Sequence, residues 1–227
     1  MIMPPASIDR FGIEPPAEGR PRPARASGWS QWVPIRTLGE RHRPLILDHL
    51  LQLDAQDRHL RFGVTTTDEQ IRRYVASINF DHDEVFGVFD RRLRLIALAH
   101  LAYPPPRDPA DKRRIVVEFG VSVLTVARGK GYGNRLFQHS ILHARNRGVH
   151  ALFIHALTEN AAMLRIAAKA GATLEYDGPD AEAWLKLPSD TVRTHLDETL
   201  LSGAAELNYR AKVQVSRLRQ LWSRWLG

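Results

Sequence analysis

Residues 115–147 constrain the fold most. An apolar run from Ile115 to Val126 leads into Arg128-Gly129-Lys130-Gly131-Tyr132-Gly133, and an amphipathic pattern from Asn134 to Arg147 follows. That order reads as strand, glycine-rich turn, helix. Such a turn exposes several backbone N–H groups where the helix dipole is positive, so it is ready to receive phosphate. Its glycines let the backbone approach a ligand and take positive φ without steric cost.

The spacing decides which phosphate ligand fits. A nucleoside-triphosphate loop needs Ser or Thr after Gly-Lys to hold magnesium, and here Gly131 follows Lys130. A dinucleotide fold needs G-x-G-x-x-G and an acidic residue after the next strand. Glu159 stands in the acidic place, but the glycines run G-x-G-x-G, and too little chain remains for the further parallel strands. A third pattern, [Q/R]-x-x-G-x-[G/A], is matched by Arg128 to Gly133 at every fixed position. It is the acyl-CoA turn of the GNAT acetyltransferases, and the segment resembles that superfamily.

The residues around the turn agree with this. Period two along Ile115 to Leu124 puts Val117, Phe119, Val121 and Val123 on one face and Glu118, Gly120 and Ser122 on the other. Small residues beside one carboxylate are expected to leave room for a ligand along that face. In the helix, Leu136, Phe137, Ser140, Ile141 and Ala144 share one side, and Gly148 is placed to end it. Ala151 to Leu157 then reads as a strand parallel to the first. A second resemblance follows: the superfamily's next motif runs from an Asn to a Gly, and Asn160 and Gly171 match it. Many relatives carry a tyrosine between them that protonates the departing CoA thiolate; the corresponding residue here is Ala167.

Upstream, Trp32, Val33 and Ile35 read as a first strand. Leu45 to Leu53 and Asp54 to Phe62 read as helices, and Thr67 is placed to cap a third over Asp68 to Ser77. Val85 to Phe89 and Leu93 to Tyr103 read as a hairpin around Asp90-Arg91-Arg92, followed by a Pro-rich loop to Lys112. Thr173 to Tyr176 and Ala183 to Leu187 read as a last hairpin. The expected fold is α/β, a mixed sheet with helices, in the order the superfamily would show. The resemblance covers roughly Trp32 to Leu187. Within the superfamily the chain looks most like bacterial protein lysine acetyltransferases of the Pat type, through Arg61-Phe62, Ile78-Asn79-Phe80-Asp81 and Val117-Glu118-Phe119-Gly120-Val121.

The resemblance implies acetyl-CoA as co-substrate, and transfer of its acetyl group to a primary amine on a protein lysine or a small molecule. It implies Glu118 as the general base, the alternative for that residue being an ion pair with a neighbouring Arg. It places the cofactor against Val121, Ser122 and Val123 of the strand, against Arg128, Gly129, Lys130, Gly131, Tyr132, Gly133 and Asn134 of the turn, and against Asn160. His100 and His155 are outside candidates for the cleft. Asp81 to Glu84 is either a solvated turn or a lure for a cationic substrate. With the tyrosine absent, a non-catalytic acyl-CoA sensor is a second function class.

Composition excludes more than it assigns. With no cysteine among 227 residues, there is no disulfide, thiolate metal site or Cys nucleophile. No His/Asp/Glu spacing argues for a bound metal. No apolar run is long enough to span a bilayer, and Pro4 and Pro5 break the first residues where a signal peptide would need an apolar stretch. A cytoplasmic protein is the expectation. A net charge of +7 suits an anionic cofactor. The basic residues are spread along the chain rather than interleaved with aromatics, which argues against nucleic-acid binding.

Three segments are expected: a disordered Pro/Arg-rich stretch over 1–28, the acetyltransferase domain over 29–188, and an amphipathic helical extension over 189–227. In the last, Leu196, Leu200, Leu207, Val215, Leu218, Trp222 and Trp225 form a stripe among arginines. The chain's own core, a second copy in a homodimer, or an anionic membrane would each cover it.

Overall fold

The computed structural model describes residues 34–104 and 115–187. The expected segments over 1–28 and 189–227 lie outside the described residues, as does most of the Pro-rich loop.

Strand β1 (Ile35–Leu38) is followed by helices α1 (Arg43–Leu51), α2 (Ala55–Phe62) and α3 (Asp68–Ser77). Strands β2 (Glu84–Phe89), β3 (Leu95–Ala102) and β4 (Val116–Val123) lead to α4 (Tyr132–Asn146), β5 (Ala151–Leu157), α5 (Ala161–Lys169), β6 (Thr173–Asp177) and β7 (Asp180–Lys186). The strands form one mixed sheet of seven in the order β1-β2-β3-β4-β5-β7-β6. β4 and β5 run parallel, as the crossover through α4 requires, and the other neighbours are antiparallel.

Local chemistry sets the helix limits. Asp54 accepts from the Asp57 amide at the start of α2, and Gly63, at φ 76°, ends it in the left-handed region. Thr67 and Gln70 form a reciprocal capping box on α3, which spans the expected residues. Three expectations shift. β1 starts at Ile35, so Trp32 and Val33 fall outside the described residues. α4 begins at Tyr132 rather than Asn134, since Gly131 at φ 75° serves as its N-cap. β7 is longer than expected because it pairs with β5 along its whole length, from Ala151↔Lys186 to Leu157↔Asp180.

The two faces of the sheet are covered differently. On one side Phe137 of α4 meets Phe119 of β4 with ring centroids 4.9 Å apart. On the other, α1 lies over β3 and seats His49, with no exposed surface, between Leu95 and Ser122. Its Nδ1–H donates to the Leu95 carbonyl at 2.9 Å, and its Nε2 accepts the Ser122 hydroxyl at 2.8 Å. These partners fix the neutral tautomer, and burial pushes the imidazole down from 6.5 to about 4.

The unfolded chain therefore binds a proton at His49 that the folded chain refuses between those values. Stability from this residue is complete above pH 6.5 and falls as pH drops toward 4. The loss is roughly 3 kcal/mol. Urea unfolding at pH 7 and pH 4.5 should show it, and His49→Gln should lose measurably less over the same interval.

Candidate active site

β4 and β5 pair only at Val116↔Ala151, Val117↔Leu152 and Glu118↔Phe153. Beyond that point β4 stays with β3 while β5 stays with β7, and the two strands fork. A cavity of about 1090 Å³ fills the fork. Its walls are β4 from Glu118 to Val123, Ile154 and His155 of β5, residues of α2 and the loop after it, the glycine turn and the start of α5.

Strand alternation shows which backbone groups face this space. The Leu124 amide donates to the Ile96 carbonyl at 3.0 Å, on the β3 side. The amides of Val121 and Val123 therefore point the opposite way, into the fork. The Val123 carbonyl accepts from Arg128 Nε there at 3.3 Å. The Val121 N–H is a fixed donor at the inner part of the gap.

The glycine turn closes one end. Gly129 and Gly131 sit at φ 76° and 75°, and a side chain on either would meet nothing within 4 Å. Their requirement is conformational, and their surroundings are open, beside the N-terminus of α4. Arg128, Gly129, Gly131, Tyr132, Gly133 and Asn134 line the cavity, whereas Lys130 is exposed and stands outside it. Asn160 also lines the cavity, but its side chain is engaged: Oδ1 accepts from the Met163 amide at 3.1 Å, and Nδ2 donates to the Leu60 carbonyl at 3.3 Å.

The face of β4 bearing Glu118, Gly120 and Ser122 differs from expectation. The small residues do not leave an open channel. The guanidinium of Arg61, from α2, lies over Gly120, where a Cβ would be 2.5 Å from its Cζ and from both terminal nitrogens. Three equal distances mean that the planar group lies face-on to the strand. Ser122 is buried, its hydroxyl held by His49. Glycine is needed at 120 to admit an arginine from within the chain. Glu118 stands one same-face step away, at the last β4–β5 pair and on the cavity wall.

Two side chains that sequence reading did not single out matter here. Asp57, almost buried, forms a short ion pair with Arg128 across the cavity mouth. Arg61 belongs to the Arg61-Phe62 pair of the Pat-type resemblance, which implies no role for it. Neither carries a local signal, because the partners lie far away in the sequence. Of the two outside histidines, His155 lines the cavity with Nε2 3.0 Å from Asp180 Oδ1, whereas His100, on β3 beside Gly120, lies against Tyr74 and does not line it. Asp83 and Glu84 are taken up by Tyr103, His100 and His143. Ala167 is fully buried and does not line the cavity. Among the described residues, no group of three or more His, Asp or Glu is arranged to hold a metal, and no helix is long and apolar enough to cross a membrane.

A mixed sheet forked at its parallel pair, with a glycine turn and a helix N-terminus at the fork, offers a long ligand both an anion site and a slot between strands. The family model for the acetyltransferase (GNAT) domain matches residues 35–173, and the chain belongs to that family. No curated protein matches the sequence. Among solved structures, the GNAT domain of S. lividans PAT superposes with a TM-score of 0.56 at 18% identity, over 67% of this chain and 89% of that one. A putative phosphinothricin N-acetyltransferase gives 0.54 at 18%, over 70% and 100%. Spermidine N-acetyltransferase from Vibrio cholerae, in complex with CoA and spermine, gives 0.51 at 17%, over 68% and 95%. At these identities the likeness is one of fold. GNAT enzymes use acetyl-CoA, and this chain is an N-acetyltransferase.

Gly120→Ala tests the packing of Arg61. The added methyl has to displace the guanidinium from β4, an overpacking cost of about 1–3 kcal/mol in urea unfolding. The same change at an exposed helix position stabilises, by about 0.5–1 kcal/mol.

Proposed function

We propose that this enzyme acetylates a primary amine, with a protein lysine as acceptor, by direct attack on acetyl-CoA with Glu118 as general base. The observation that carries this reading is the position of Glu118. It is the last residue of β4 that pairs with β5, so its side chain stands where the cavity begins.

In this reading the pyrophosphate meets the amides of Gly129 to Asn134, and the pantetheine arm enters the fork along Val121, Ser122 and Val123. Lys130, exposed on the turn, adds positive charge beside it. A lysine amine has a pKa near ~10.4, so deprotonating it at pH 7 costs roughly 4–5 kcal/mol. The Glu118 carboxylate takes that proton, directly or through a water. The amine nitrogen attacks the thioester carbonyl, and the carbonyl oxygen gains charge beside the Val121 N–H. The C–S bond then breaks, CoA leaves as a thiolate, a far weaker base than an amide or amine anion, and the second proton of the attacking nitrogen passes to that sulfur or to water. That fits an alanine at 167. No covalent enzyme intermediate is required.

The cavity favours a single cation over a polyamine. A polyamine needs several carboxylates along its length, yet Asp57 is committed to Arg128 and Asp180 to His155. Cytoplasmic location remains the expectation drawn from the sequence.

Two variants test the reading. Glu118→Gln should keep acetyl-CoA affinity and lower turnover by roughly two to four decades; full activity at neutral pH would remove Glu118 as the base. Gly131→Asp puts a side chain at φ 75° and a negative charge at the phosphate end. Acetyl-CoA affinity by calorimetry should fall by roughly tenfold or more. Unchanged affinity would place the cofactor elsewhere, and tight binding with no transfer to any amine would favour a sensor.

A further inference from the structure

Beside β4, on the face that carries Glu118, runs a chain of polar side chains that the reaction above does not use. Arg61 Nη2 donates to the Tyr74 hydroxyl oxygen at 3.1 Å. The Tyr74 hydroxyl is 2.6 Å from His100 Nδ1. His100 Nε2 lies 3.2 Å from Asp83 Oδ2, within ion-pair range though off the hydrogen-bond direction. Tyr74 and His100 are 6% and 5% exposed. Four residues from α2, α3, β3 and the turn before β2 thus join a cation to an anion through the protein interior.

The donors in this chain all point one way. Arg61 has only hydrogens to give, so the Tyr74 oxygen accepts from it. Burial pushes the Tyr74 phenol up to about 12, so it keeps its proton and donates it to His100 Nδ1. His100 then carries its own hydrogen on Nε2, toward Asp83. Asp83 is held in turn by the Asn79 and Tyr103 amides at 3.2 and 3.1 Å. The Tyr74 hydroxyl oxygen is the acceptor that holds Arg61, and His100 holds Tyr74 in turn. The array therefore holds the guanidinium in place, flat on Gly120 and beside the packed rings of Phe62 and Tyr74, 5.2 and 5.8 Å from their centroids.

Glu118 is the next same-face position of β4, roughly 7 Å along the strand from Gly120. Arg61 and Glu118 both act on the Tyr74 hydroxyl electrostatically, with opposite signs. Other charged and titratable groups near this point are His49 of α1 and, on the walls of the cavity, Asp57, Arg128, His155, Arg165 and Asp180. Arg61 is the cation held against the strand of the base. A carboxylate at the edge of a cavity loses hydration, which favours its protonated form; a fixed guanidinium opposes that.

We propose that Arg61 is a positioning residue for the base: locked by Tyr74, His100 and Asp83, its guanidinium holds Glu118 in the carboxylate form and so sets the lower pH limit of acetyl transfer. The statement on acetyl transfer rests on the reading of Glu118 as base; the electrostatic coupling does not.

The test is a carbon-13 NMR titration of the glutamate carboxyls in the full chain, with the Glu118 signal assigned by its loss in Glu118→Gln. In Arg61→Met the Glu118 midpoint should rise by about one pH unit or more. Tyr74→Phe, which keeps the ring and its packing, should move it the same way by less. Arg61→Lys, which keeps the charge, should stay nearer the wild type. With acetyl-CoA and polylysine, the acid limb of kcat/KM should move by the same amounts. An unchanged Glu118 midpoint in folded Arg61→Met and Tyr74→Phe protein would overturn the proposal. A midpoint that moves while Glu118→Gln keeps full activity would overturn the base reading and the claim on the pH limit, leaving only the coupling.

Discussion

The site depends on one interruption of backbone pairing. β4 and β5 share three residue pairs and then part at Glu118 and Phe153. Buried backbone groups need partners, so a gap between parallel strands persists only where something else occupies or borders it. Here each strand has another neighbour on its outer side, β3 for β4 and β7 for β5, and the inner edges are left to face a cavity. The consequences follow in order. The Val121 amide is exposed to the fork, the carboxylate of the last paired residue stands at its origin, and the glycine turn that ends β4 delivers a helix N-terminus to its mouth.

Helix α2 spans that mouth. On one side Asp57 pairs with Arg128 of the turn. On the other, Gln56 reaches Glu159 at 3.2 Å, and the Leu60 carbonyl accepts from Asn160. Between them Arg61 reaches inward to β4. A single two-turn helix thus touches both arms of the fork and the strand of the proposed base. Its position couples the cofactor end of the cavity to the end where an amine would enter.

What the sequence made legible was local. The Arg128 to Gly133 spacing, the Thr67 cap, the Gly148 terminus and the two-residue period of β4 each depend on neighbours within a few positions, and each lies where expected. What it hid was a matter of which distant side chain fills which space. Gly120 and Ser122 read as room for a ligand, because a strand pattern records only that its own residues are small. Arg61 and His49, 59 and 73 residues away along the chain, occupy that room with groups that a pattern of period two cannot reveal. Gly133 is a related case. It reads as part of the turn, but it sits inside α4, where a Cβ would already touch Ile166 at 3.5 Å and Val123 at 3.8 Å. Asn160 matches its motif and lines the cavity, yet its side chain is spent on capping α5 and on holding α2.

The central claim is that the fork between β4 and β5 is the acetyl-CoA site. A crystal structure of the full chain with bound CoA tests it most directly. The account predicts the pyrophosphate oxygens within hydrogen-bond distance of the amides at Gly129, Gly131 and Gly133, the pantetheine arm between β4 and β5, and the sulfur near the Val121 N–H on the Glu118 side. CoA bound on another surface, with the fork empty or closed by pairing of Phe119 to Val123 with β5, would contradict it.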